Sequence, residues 1–228
     1  MRVSPTLILA AIAIGPAPSA MAQTYEQSRQ LCLVTPGFVE GFVKACTIVV
    51  NSPHTSPLER AIALNNRATQ ETGEDAKRDL DEAIRLAPKL AKLFNNRGLH
   101  LMYPEPIEAL ADFDEAIRLD PHYAVAWNNR GETYAALKQY DRAIENFNEA
   151  IRLAPGYLHP MYNPYEQRAQ AREAKGDLKG AEIDRKRYMP LWDRASSSKT
   201  DVRGANVIGS RAWEPFISLL EAKALSRN

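Results

Sequence analysis

Six asparagines come in pairs, each pair followed by arginine: Asn65-Asn66-Arg67, Asn95-Asn96-Arg97 and Asn128-Asn129-Arg130. A carboxamide both donates and accepts hydrogen bonds. A row of them at a fixed interval can therefore hold polypeptide main chain with little regard to its side chains. Lys92 and Glu132 lie within a few residues of these pairs and add charge of both signs. A purely structural use competes with this reading. The asparagines would then bond to carbonyl groups of a preceding unit, while Arg67, Arg97, Arg130 and Arg168 pair with acids such as Glu82 or Glu115. Both uses stay open at this level.

Other reactive types do not converge. His54, His100, His122 and His159 are scattered, with no pair four residues apart. The patterns His-Glu-x-x-His, Gly-x-Ser-x-Gly and Gly-x-x-x-x-Gly-Lys-Ser/Thr are absent. Pairs such as Asp114-Glu115 and Asp141/Glu145 sit at helix-surface spacing beside arginines, as solvated faces do. No catalytic residue, metal ligand or cofactor is expected, and the chain reads as no enzyme.

Cys32 and Cys46 have 13 residues between them and no Cys-x-x-Cys or neighbouring histidine to activate a thiolate. An even pair in an oxidising compartment favours a disulfide, with a buried free thiol at Cys46 as the alternative. A closed loop of about 15 residues would stabilise by roughly 3 kcal/mol and pin the start of the chain onto the following helix.

The elements that would position these residues repeat. Leu80-Asp81-Glu82-Ala83-Ile84-Arg85-Leu86-Ala87-Pro88 recurs as Phe113-Asp114-Glu115-Ala116-Ile117-Arg118-Leu119-Asp120-Pro121 and as Phe147-Asn148-Glu149-Ala150-Ile151-Arg152-Leu153-Ala154-Pro155. Ala83, Ala116 and Ala150 are spaced by 33 and 34 residues, and an asparagine pair precedes each copy. Two amphipathic helices per unit at that period make a stacked all-α solenoid.

Trp127-x-x-Arg130-Gly131-x-x-Tyr134, Ala143-x-x-x-Phe147, Ala150 and Pro155 resemble the tetratricopeptide repeat, with arginine at 130 where that pattern has leucine. The resemblance covers roughly 100 residues, and the chain resembles small exported bacterial proteins of this family. It implies close helix packing at Gly131 and Ala143, with Trp127, Tyr134 and Phe147 filling the space between hairpins. It also implies a concave groove lined by the first helices, carrying Asn65, Asn66, Lys92, Asn95, Asn96, Asn128, Asn129 and Glu132. The expected activity is non-catalytic protein–protein interaction, with a peptide or partner helix in that groove. The alternative is a self-associating protein whose C-terminal helix fills a groove, and an unrecognised enzyme is the remaining rival.

The expected order is a signal peptide at 1–22 and a degenerate N-terminal unit with the cysteine pair at 23–57. Repeats follow at 58–90, 91–123 and 124–157, with a degenerate repeat at 158–193. A flexible linker at 194–210 and a C-terminal capping helix at 211–228 complete it. Phe38–Val50 reads as the second helix of the first unit, and Pro215 as the start of the last helix, with Phe216, Leu219, Leu220 and Ala224 on one face.

Met1-Arg2, the apolar run Thr6–Ile14 and Ala20-Met21-Ala22 have the layout of a cleavable export signal, cut after Ala22. Nine such residues cannot cross about 30 Å of hydrocarbon, so no stable membrane insertion is expected. The chain of 228 residues carries 29 Lys+Arg against 28 Asp+Glu, and residues 1–22 hold Arg2 and no acid. The remainder is balanced, which gives no global attraction to nucleic acid. The reading is a periplasmic or secreted monomer or weak homo-oligomer whose partner is another protein.

Overall fold

The computed structural model describes residues 20–34, 41–155, 163–197, 217–218 and 222–223. Among them are ten α-helices and no strand: α1 Ala20–Leu33, α2 Phe42–Asn51, α3 Pro57–Ala68, α4 Gly73–Leu86, α5 Ala91–Leu101, α6 Pro106–Leu119, α7 Ala124–Ala136, α8 Tyr140–Leu153, α9 Pro164–Lys175 and α10 Leu178–Ser197. Consecutive helices form hairpins, and each hairpin packs on the next.

Local sequence sets the ends. Ser56 and Glu59 form a reciprocal capping box on α3, with Pro57 at its first position. Pro106 and Pro164 open α6 and α9 in the same way. Helices α4, α6 and α8 end directly before Ala87-Pro88, Asp120-Pro121 and Ala154-Pro155, since the residue before proline is pushed out of helical geometry.

Within each central hairpin the two helices meet at small residues. A Cβ added to Gly98 would lie 2.7 Å from Phe113 Cε1, and one added to Gly131 would lie 2.8 Å from Phe147 Cε1. Ala76, Ala109, Ala143 and Ala181 are buried at matching places on the second helices, as are Ala83, Ala116 and Ala150 a little further along.

Several boundaries and roles differ from the sequence reading. Helix α2 starts at Phe42 rather than Phe38, because Gly41 is left-handed at φ 81° and a helix cannot run back through it. Helix α10 reaches Ser197, into the stretch read as linker, since no glycine or proline lies between Leu191 and Arg203 to stop it. Trp127 and Tyr134 are only half-buried. The Arg130 guanidinium covers the Trp127 ring at 4.6 Å, and Arg142 covers Tyr134 at 5.5 Å. Pro155 is an exposed stop. The expected signal segment up to residue 19, most of the linker, and Pro215, Phe216, Leu219, Leu220 and Ala224 lie outside the described residues.

Candidate functional site

First helices of successive hairpins touch one another, α1 with α3, α5 with α7 and α7 with α9. No contact of that extent joins successive second helices among the described residues, so the first helices make the tighter, inner wall. All six paired asparagines lie in α3, α5 and α7 and are buried.

Their amides form a ladder. Asn65 Nδ2 donates to Asn66 Oδ1 at 3.0 Å, and Asn96 Nδ2 reaches across to Asn65 Oδ1 at 2.7 Å. Asn95 Nδ2 donates to Asn96 Oδ1 at 3.3 Å, and Asn129 Nδ2 reaches Asn95 Oδ1 at 2.9 Å. Two of these four bonds join adjacent residues and two cross to the preceding unit, all between amides, where the structural alternative had the asparagines bonding to carbonyl groups. One member does meet a carbonyl: Asn66 Nδ2 donates to Cys32 O at 2.9 Å. That oxygen belongs to the last turn of α1, whose carbonyls lack helical donors.

The two ends of the ladder differ. At the α3 end, Asn66 grips the non-helical main chain of Ile217. Its Nδ2 donates to Ile217 O at 3.0 Å, and its Oδ1 accepts from Ile217 N at 2.8 Å. At the α7 end the ladder is open. Neither amide atom of Asn128 has a hydrogen-bond partner, and Asn129 Oδ1 and Gln167 Oε1 are unpartnered too. Gln167 stands where the next asparagine would be, but its Nε2 turns to Glu132 Oε2 at 2.9 Å. Glu132 also accepts from the Tyr103 hydroxyl at 3.0 Å, so it links the α5–α6 turn, α7 and α9. Lys92 is buried within α5.

The arginines after the asparagines find acids other than Glu82 and Glu115. Arg67 holds both oxygens of Asp79, at 2.6 and 2.7 Å, and Arg97 both oxygens of Asp112, at 2.9 and 2.6 Å. Arg168 does the same with Asp184. In α7, Arg130 meets the neutral Asn146 at 2.7 Å. These hydrogen bonds hold the Arg67 and Arg97 guanidinium groups above their ordinary pKa. Arg97 also reaches Asp81 at 2.7 Å and Arg130 reaches Asp114, which ties each hairpin to the one before. Glu82 and Glu115 instead bind Arg85 and Arg118 one turn along their own helices. The signal for the true partners was an Asp or Asn immediately before Leu80, Phe113, Phe147 and Arg185.

A cavity of about 130 Å³ opens beside the ladder, lined by Asn65, Thr69, Leu80, Asn96, Leu99 and His100 among others. Burial pushes the His100 imidazole below its ordinary pKa, partly offset by a hydrogen bond to the Ala68 main chain. Cys32 and Cys46 are disulfide-bonded with Cα atoms 5.0 Å apart, joining α1 to α2 inside the core that also holds Ile217 and Ala222. Among the described residues no group of His, Cys, Asp or Glu could hold a metal ion. No described helix is long and apolar enough to cross a membrane.

Residues 124–157 match the family model of the tetratricopeptide repeat. That match identifies 124–157 as a tetratricopeptide repeat, set within an all-α solenoid of stacked hairpins. Similar solved structures include a MamA chain from Desulfovibrio magneticus RS-1 at 21% identity, covering 80% of this chain and 100% of that one with a TM-score of 0.61. A crystal structure of a MamA protein matches at 19% identity over 80% and 95% of the two chains, with a TM-score of 0.60. MamA of strain MSR-1 matches at 16% identity over 77% and 98%, with a TM-score of 0.58. At these identities the likeness is one of fold. No curated protein matches the sequence.

Proposed function

We propose that this protein is a non-catalytic interaction scaffold of the bacterial cell envelope that holds a partner polypeptide in the concave face of its first helices. The observation that carries this reading is the grip of Asn66 on Ile217. A carboxamide of the inner wall there holds a main-chain N–H and C=O at once, which is how a sequence-tolerant polypeptide site works. The open end of the ladder supports it. A buried amide without partners costs about 1–3 kcal/mol, which a partner's main chain on Asn128 would recover. The Cys32–Cys46 bond and the signal-like first 22 residues support placement in an exported compartment.

The test is affinity capture from envelope extract by the oxidised mature chain, beside Asn128→Leu. That substitution strands no hydrogen bond, because both amide atoms of Asn128 are already unpartnered. A stoichiometric partner held by the parent chain and lost by Asn128→Leu, at unchanged helicity, is the expected result. A partner held equally by both moves the site off the inner wall.

A further inference from the structure

We infer that the α1/α3 end of the groove is a peptide site already filled by the chain's own tail, and that a partner segment with an aliphatic residue at the clamped position displaces it. The inference rests on the inner wall being a polypeptide site. It adds that one end of that wall is self-occupied.

Three observations meet at this end. Asn66 makes two hydrogen bonds to the Ile217 main chain, and these would form with almost any residue at that place. The Ile217 side chain is 1% exposed and Ala222 is 0% exposed, both packed among Cys32, Leu33, Ile62 and Leu64. The apolar pocket therefore selects what the main-chain clamp does not: an aliphatic side chain, with a small one five residues on. Between them, Ala222 N donates to Ser218 O at 3.0 Å, the i to i−4 bond of a helical turn. The segment is held at two points, through the Ile217 main chain and through the buried Ala222. It is also tethered, and tethering supplies an effective concentration near the millimolar range without strong intrinsic affinity. A resident held mainly by its tether gives way to a tighter segment arriving from outside. The partner fitted to this site is a protein segment with isoleucine, valine or leucine at the clamped, non-helical position and a small residue five places on.

The experiment uses the full mature chain and a fluorescent synthetic peptide of residues 212–225. Ile217→Asp should free the tail, since a carboxylate cannot lodge in the apolar pocket. The freed variant is expected to bind the peptide at least about tenfold more tightly than the parent chain, because its site is no longer mostly occupied. Adding Asn66→Ala to that variant, or Ile217→Asp in the peptide, should abolish binding. Equal binding by parent and freed chains overturns the inference. So does loss of the helical circular dichroism signal in Ile217→Asp, which would make the tail an integral part of the core.

Hydrogen exchange on the parent chain gives an independent measure. Excess unlabelled peptide should speed exchange of the chain's own Ile217 N–H, and unchanged exchange at saturation overturns the proposal. A mass that doubles with concentration also overturns it, because the tail would then belong to a second copy. If the parent and Ile217→Asp chains capture an external partner equally, only this inference fails. If neither captures any partner or binds the peptide, the reading of the inner wall fails with it.

Discussion

Arg97 lies at the repeat position where the family pattern has leucine, and restoring leucine there should be harmful. Asp112 is 4% exposed and receives two hydrogen bonds from Arg97. Arg97→Leu would leave that carboxylate buried without its cation, a loss of about 3–5 kcal/mol for broken buried pairs. The Asp81 contact is half-exposed and adds less than about 1 kcal/mol. For a chain of this size each kcal/mol moves Tm by about 2–4 °C, so the expected fall is about 6–20 °C. Removing both partners tests the cause. Arg97→Leu/Asp112→Leu fills the space with apolar groups and should return to within about 1 kcal/mol of the parent chain, since such replacements are often neutral. Thermal unfolding followed at 222 nm reads all three. A double variant as unstable as the single one would show that the arginine matters through its packing, and would refute the electrostatic reasoning.

Other outcomes follow from the same contacts. Gly98→Ala and Gly131→Ala should each destabilise by about 1–3 kcal/mol in chemical denaturation despite better helix propensity, because the new Cβ meets the Phe113 or Phe147 ring below 3.0 Å. Reducing the Cys32–Cys46 bond should lower stability by about 3 kcal/mol, read as a Tm difference with and without reductant, with the loss concentrated in exchange of α1 amides. His100 has a folded-state pKa below its unfolded value, so the unfolded chain takes up the proton first. Stability should therefore fall as pH drops from about 7 through about 6.5 toward the depressed value, and His100→Gln should flatten that part of the Tm profile.

Much of the fold was legible because its cause is periodic. Ala83, Ala116 and Ala150 mark the same contact in three hairpins, and Gly98 and Gly131 the same close approach. Proline stops and the Ser56 cap follow local rules that need no tertiary information. The site was only half legible. The asparagines could be placed on the first helices, but whether their amides face a ligand or each other depends on rotamers and on the reach to the next hairpin. The Arg67–Asp79 and Arg97–Asp112 pairs were hidden because an acid on an amphipathic helix reads as solvated until its neighbour is known. Ile217 escaped notice for a different reason. Helical periodicity put Phe216 and Leu219 forward, whereas Ile217 is clamped through its main chain as well as buried by its side chain, and side-chain patterning is blind to the clamp.

The central claim is that a partner lies on the inner wall, and site-specific photo-crosslinking tests it most directly. A photoreactive residue would replace Leu99 or Glu132 on the first helices, and Glu108 or Glu145 on exposed faces of the second helices. Crosslinks to the captured partner from positions 99 and 132, with none from 108 and 145, are the predicted result. Crosslinks from 108 and 145 alone would contradict the account and place the partner on the outer wall.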